Sequence, residues 1–499
     1  MTTQSAIEIM RATEAKSSAF GHAMALISYD GATTAPSGAG KARGETMGLL
    51  SGESYKLTTA PEYREALNYL RDHAAELDRQ TAREAELLLR DAEQTSKVPL
   101  DEYMAYQKLL SDADYVWHQA KDKSDFPMFE PYLEKVVETM RRLAGYYAPG
   151  ANPYAFYLDR YEEGLTRETA DRFFDTLKAE LTPLIHAVNA AEQPDDSFLL
   201  KEYPIEKQRL FTEYLKDIVA LDRRYISTSE TEHPFTTHFS KYDVRYSTHY
   251  YESHPEYSMF TVIHESGHAQ YELNTADALY RTRLARGAST ALHESQSRFF
   301  ENMIGRTPEF CALVFPKLQE LFPEQLAGVT DEMFYKAVNK SFPSLVRTKA
   351  DELTYSMHVL IRYEIEKQLF DGQLKAHDVP AVWDEMYQKY LGISVPDDRS
   401  GCLQDMHWSS GMFGYFPGYS LGSAYAAQMY AKMLEDIDVP ATVRAGDLKP
   451  VVKWLTERIY RYGAMLKPDE VFLSACGAPF DPMYYVRYLQ DKYTKLYNL

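Results

Sequence analysis

The chain has 499 residues, 45% hydrophobic and 25% charged, with a formal net charge of −19. That apolar share is enough for a sizeable core and excludes wholesale disorder, while the acidic balance disfavours nucleic acid, whose phosphates require clustered Lys and Arg. Cys311, Cys402 and Cys476 are too few and too scattered for a disulfide framework or a four-thiolate zinc site, which predicts a reducing, cytoplasmic setting.

The N-terminus, MTTQSAIEIMRATEAK, lacks the apolar segment of a signal peptide. No stretch reaches the ~18 apolar residues of a membrane span, so a soluble protein is expected. From residue 60 to 145, apolar positions recur every three or four residues between charges of both signs, predicting helices with one solvated face. The same period marks residues 165–188 and 450–468. Breaks at Pro149–Pro153, near Gln193–Ser197 and at Pro396–Gly401 read as loops within one body. No repeat or low-complexity linker divides the chain, and residues 1–499 are expected to form a single, mainly α domain. One region differs. Residues 235–252, FTTHFSKYDVRYSTHYYE, predict two short β-strands around a turn near Lys241 and Asp243.

Directly after this small sheet comes YSMFTVIHESGHAQYEL. On a helix, positions i and i+4 share a face, so His264 and His268 can offer imidazoles to one ion, with Glu265 beside them as general base. The alternative is two histidines on an ordinary helix; the apolar flanks oppose it, because burying two histidines and a glutamate without partners is costly. Gly267 costs such a helix about 1 kcal/mol relative to alanine, which calls for a packing or access reason. A catalytic zinc takes three protein ligands and keeps one open position. Glu294, in ALHESQSRFFEN, is the candidate third ligand, although a surface or ion-paired carboxylate fits the same spacing. The segment from Arg281 to Arg286 reads as a basic, turn-like connector.

Six ordered motifs extend this pattern. They are His233-Pro234-Phe235, Asp243-Val244-Arg245, His264-Glu265-Ser266-Gly267-His268, His293-Glu294-Ser295-Gln296, Val346-Arg347-Thr348-Lys349-Ala350-Asp351, and the run from Gly401 to Trp408. With GMFGYFPGYSLGSAYAAQ (411–428) they make the chain resemble the carboxypeptidase Taq family of metallocarboxypeptidases over nearly its whole length. Ser247 and Val346 stand where that family commonly has threonine and isoleucine, changes that spare the chemistry, and residues 28–43 match more loosely.

The resemblance implies a helical, zincin-like homodimer with a deep groove, the metal at its base, and N-terminal helices covering it. It also implies release of single C-terminal amino acids from peptides, with broad side-chain tolerance and poor action next to proline, supported by zinc or cobalt.

Within that frame, Arg347 is the candidate partner for a substrate's terminal carboxylate, since guanidinium binds carboxylate bidentately. Its alternative role is an ion pair with Asp351, four residues on. His233 and His407 are candidate donors to the substrate backbone or structural histidines. Tyr415 and Tyr419 are candidate phenol donors to the oxyanion, or aromatic core residues. Asp243 and Arg245 read as a structural pair, and Gln404 and Asp405 as groups behind the site. The partners that orient His264 and His268 are not assigned: the residue one turn after Glu294 is Arg298, not an acid. Two rival functions have the same residues, an oligopeptidase open at both ends and a peptide-binding protein without turnover.

Overall fold

The computed structural model describes residues 1–499, the side chains of Thr95 and Ser96 excepted. Helices make up 69% of the chain and a single three-stranded sheet the rest of its regular structure, as the periodicities predict. No helix among the described residues is long and apolar enough to cross a membrane.

The chain opens with a helical hairpin, Thr3–Thr33 and Gly40–Thr58, followed by helices Pro61–Asp72 and Arg79–Ser96. These have a small core of their own, in which Ala6 and Met10 meet Tyr63, Leu67, Leu70 and Leu89. The Gly40–Thr58 helix buries no residue. The far end of the first helix crosses to the sheet, where the hydroxyls of Tyr29 and Ser229 share a hydrogen bond of 2.6 Å. The principal core is one continuous cluster running from Ala113 to Tyr497.

The two expected strands are present, β2 (Thr236–Ser240) and β3 (Asp243–Thr248), joined by a tight turn at Lys241 and Tyr242. They pair antiparallel, with Thr236 opposite Tyr246. A third strand, β1 (Ile226–Glu230), lies on the other side of β3 and parallel to it. Its sequence, ISTSE, has no apolar alternation to reveal it, because it is an edge strand with largely exposed side chains.

Three helices build the centre. Pro255–Leu273 begins with Pro255 in its first turn and is apolar almost all round, with Met259, Phe260, Val262, Ile263, Ala269 and Tyr271 buried, so the core encloses it. Thr290–Arg298 starts at Ser289, whose hydroxyl accepts the Leu292 N–H, and runs on into a π-helical turn, Phe299–Gly305. Pro417–Asp436 closes the other side. The reason for Gly267 is close approach. A Cβ there would lie 2.3 Å from the Gln296 carbonyl oxygen, and one at Gly422 would lie 2.8 Å from Glu294 Cγ. The Thr290–Arg298 helix is thus clasped between its two neighbours.

Candidate metal centre

On the Pro255–Leu273 helix, His264 and His268 stand one turn apart with ring centroids separated by 5.1 Å. Glu294 Oε2 approaches from the clasped helix, 3.4 Å from His268 Nε2 and 3.8 Å from His264 Nε2. One ligand atom from each of the three falls within 4.8 Å of the others. A tetrahedral ion with bonds of about 2.0–2.1 Å keeps its donors roughly 3.4 Å apart. Two imidazole nitrogens and a carboxylate oxygen also make a donor set suited to a borderline divalent cation. The residues fit a metal.

The atoms facing away from this point are all engaged. His264 Nδ1 meets Glu301 Oε2 at 2.9 Å. His268 Nδ1 meets His293 Nδ1 at 2.7 Å, and His293 Nε2 in turn meets Glu272 Oε1 at 2.7 Å. With Nε2 of His268 turned to the metal point, its proton lies on Nδ1 and is donated to His293, whose own proton is then on Nε2 and is donated to Glu272. Arg298 donates to Glu294 Oε1 at 2.8 Å and to Glu301 at 3.2 Å, and Arg306 adds a contact to Glu301 at 3.2 Å. Burial opposes ionisation of Glu294 and Glu301, but Arg298 and the histidines outweigh it and hold both carboxyls well below the usual range.

The missing orienting groups are therefore Glu301 and the His293–Glu272 pair. Glu301 lies two helical turns after Glu294 rather than one, on the π-turn, which is why the sequence one turn on showed only Arg298. His293 was already visible in the His-Glu-Ser-Gln motif, but its partner is set by the approach of another helix.

Glu265 is buried, and its Oε2 accepts the Thr236 hydroxyl of β2 at 2.5 Å. Burial pushes its carboxyl above the ordinary range, against the pull of His264 and Thr236.

A second cluster faces this one from residues 345–419. Arg347 is on a short 3-10 turn and is not paired with Asp351; that carboxylate instead caps the Glu352–Asp371 helix, accepting the Leu353 and Thr354 N–H groups. A buried guanidinium needs an anion, and Arg347 finds it in Asp405, through Nη2 at 2.8 Å and Nε at 3.1 Å. Arg362 reaches the other oxygen of Asp405 at 2.6 Å, and Gln404 Oε1 accepts the Arg347 backbone N–H. Gln404 and Asp405 therefore support Arg347 and not the metal histidines. Tyr419 lies under the Arg347 guanidinium at 4.8 Å. His407 packs on Phe416 with centroids 4.3 Å apart and lies 3.4 Å from the Tyr419 hydroxyl, while its buried Nδ1 lies 4.0 Å from Asp405 with no hydrogen-bond partner among the described residues. Burial, with Arg347 and Arg362 nearby, pushes His407 down to about 4 and keeps it neutral. Tyr415 packs against His407 and Tyr419; burial and then the charge of Glu294 push its phenol up to about 12.

The structure thus gathers Arg347, His407, Tyr415 and Tyr419 but leaves His233 apart, exposed on the β1–β2 loop with no hydrogen bond from its ring among the described residues. Asp243 and Arg245 form the expected pair at 2.8 Å, and the guanidinium packs on Tyr29 and Phe239, where the N-terminal helix meets the sheet.

Comparison with known proteins agrees with this geometry. The family described as carboxypeptidase Taq (M32) metallopeptidase matches residues 10–493. Carboxypeptidase 1 of Bacillus subtilis (strain 168) is 40% identical over 482 residues, covering 96% of each chain. Thermostable carboxypeptidase 1 of Pyrococcus furiosus is 33% identical over 487 residues, covering 95% of this chain and 96% of its own. The crystal structure of the M32 carboxypeptidase from Deinococcus radiodurans R1 superposes with a TM-score of 0.96 at 34% identity, over 99% of this chain and 100% of that one. This chain belongs to the carboxypeptidase Taq (M32) family and is a metallocarboxypeptidase.

Proposed function

We propose that the protein releases single C-terminal amino acids from peptides, using one zinc ion, replaceable by cobalt, held by His264, His268 and Glu294. The observation that carries this reading is the convergence of two Nε2 atoms and one carboxylate oxygen within 4.8 Å while every opposite edge is already hydrogen-bonded. A divalent cation there supplies Lewis acidity, polarising the scissile carbonyl and lowering the pKa of water toward ~7. The chain's own groups do the rest. Glu265 Oε2 is occupied by Thr236, so Oε1 is the oxygen that takes the proton of the attacking water and passes it to the leaving amine. Tyr415 and Tyr419, both held protonated, are donors for the developing oxyanion.

Recognition of the terminal carboxylate falls to Arg347. Asp405 is shared between Arg347 and Arg362, so the three together retain one positive charge for a substrate anion. His407, whose Nε2 lies beside the Tyr419 hydroxyl, is a donor or acceptor for the substrate backbone. His233, exposed on its loop, is the weakest member of the set and acts only if a longer peptide reaches it.

The remaining properties rest on the family resemblance: broad side-chain tolerance, poor action beside proline, a homodimer, and N-terminal helices covering the groove of one catalytic domain. A cytoplasmic setting accords with the three cysteines, all free and buried.

The decisive assay offers one peptide with a free and with an amidated C-terminus. Cleavage of the free form alone is expected; equal cleavage of both would falsify the carboxypeptidase reading in favour of an oligopeptidase. Activity should vanish on chelation and return with zinc, and Glu265→Gln should lose roughly 100-fold or more in kcat while retaining its metal. A variant that keeps wild-type turnover removes Glu265 as the base.

A further inference from the structure

Glu366 is fully buried on the Glu352–Asp371 helix. Its carboxylate accepts three hydrogen bonds. The Trp408 indole N–H donates to Oε1 at 2.8 Å; the Gly414 backbone N–H and the Tyr154 hydroxyl donate to Oε2 at 2.9 Å and 2.8 Å. Trp408 and Gly414 are the two feet of one loop. The chain closes on itself here, with Met412 N–H donating to the His407 carbonyl at 2.8 Å and the Trp408 and Phe413 rings stacked at 6.0 Å. Immediately outside the feet stand His407 and Tyr415. A single carboxylate therefore ties down both ends of the segment that presents two of the proposed substrate-contacting side chains.

We infer that Glu366 is a positioning residue for catalysis: its ionised carboxylate holds the 408–414 loop so that His407 and Tyr415 meet the substrate. The consequence for turnover rests on the carboxypeptidase reading above; the anchoring itself does not.

The chemistry makes this anchor sensitive to pH near neutrality. Among the described residues no salt bridge compensates Glu366, and burial pushes its carboxyl up to about 7 against the three hydrogen bonds and the charge of Arg362. On its own helix Arg362, one turn earlier, is committed to Asp405. The Pro153–Tyr161 helix contributes Tyr154 and Tyr161, both neutral phenols. The Arg167–Ala190 helix turns Arg167 to Asp371 and Asp171 to Lys367, and the Val379–Leu391 helix turns Tyr387 to the Leu345 carbonyl. The loop itself brings His407, held neutral. Protonation of Glu366 removes charge assistance from both feet at once, and charge-assisted hydrogen bonds are roughly twice as strong as neutral ones.

The test follows the 15N-indole resonance of Trp408 in the full-length, metal-loaded protein, assigned by its loss in Trp408→Phe. It should shift through a midpoint near 7 in the wild type and stay flat in Glu366→Gln. In parallel, Glu366→Gln should lose the acid limb of the kcat profile that titrates near 7, with kcat lowered roughly tenfold, since small misplacements of contacting groups are costly. If that variant does not fold, Glu366→Asp keeps the charge but shortens its reach; it should retain the acid limb with a lowered kcat. A Trp408 resonance that does not titrate, or a Glu366→Gln enzyme with wild-type kcat and an unchanged pH profile, overturns the proposal. Failure of the carboxypeptidase reading shows separately, as wild-type protein that treats free and amidated peptides alike.

Discussion

His264 and His268 stand one turn apart on the same helix, yet the regions behind them are built from opposite materials. Behind His264, a carboxylate contacts the imidazole directly and is itself backed by Arg298 and Arg306. Behind His268, a second imidazole intervenes, and the chain runs through His293 and Glu272 to His238, which is 34% exposed. Protonation reflects the contrast. Burial drives His268 down to about 4, whereas at His264 the charges of Glu294 and Glu301 outweigh burial and raise it. An ionic support fixes one imidazole by strong, short-range charge. The second imidazole in the relay fixes the other through a hydrogen bond that sets its tautomer.

That difference orders the expected effects. The largest belongs to Glu301→Gln, which takes the anion from the half-buried Arg306 and leaves the half-buried Arg298 with Glu294 alone. It should cost about 3–5 kcal/mol of stability and weaken metal binding toward 100-fold, read by thermal melts and chelator competition. If metal affinity stays at the wild-type value, the ionic support is not what orients His264.

Next comes a carboxylate with no cationic partner among the described residues. Glu162 accepts the Ala291 N–H at 3.0 Å at the start of the helix carrying Glu294, and burial pushes its carboxyl up to about 7. A folded-state pKa raised above the unfolded one stabilises the fold fully below the unfolded value, near 4.5, and that contribution is lost as pH rises to about 7. Relative to Glu162→Gln, the wild type should therefore lose about 3 kcal/mol between pH 4.5 and 8. A difference in melting temperature that does not change with pH would remove Glu162 as the titrating group.

Gly267→Ala tests the frame common to both supports. Its Cβ meets backbone rather than a yielding side chain, so overpacking of about 1–3 kcal/mol is expected, together with weaker metal binding as the two helices part. Unchanged stability would show that the helices separate without cost. The smallest effect is expected from Glu272→Gln, which acts on His268 only through His293. Metal affinity should fall about tenfold, less than for Glu301→Gln. An equal or larger loss would reverse the ranking of the two supports.

How much of this was readable in advance depends on the range over which each feature is encoded. The pairing of His264 with His268, and the place of Glu265 between them, follow from helical spacing over five residues. The hairpin of β2 and β3 likewise showed in local composition. Strand β1 did not, because a polar edge strand has no alternation. Arg347 was singled out as a candidate carboxylate partner, and the ion-pair partner its spacing suggested was a neighbour in sequence. Asp351 is taken by the N–H groups of the next helix, and the true counter-ion, Asp405, arrives with a distant loop. Glu301 was missed because the helix passes into a π-turn before presenting it.

By itself, the sequence determined the mainly helical architecture and the family, and it singled out His264, His268 and Glu294 as candidate ligands. Tertiary structure alone decided which groups stand behind them. A ligand pair one turn apart is set by the geometry of a single helix, whereas a buried charge takes whatever partner packing delivers. Here packing delivered Glu301 with its arginines, the His293–Glu272 relay, and the Glu366 anchor, none of which has a local spacing that marks it.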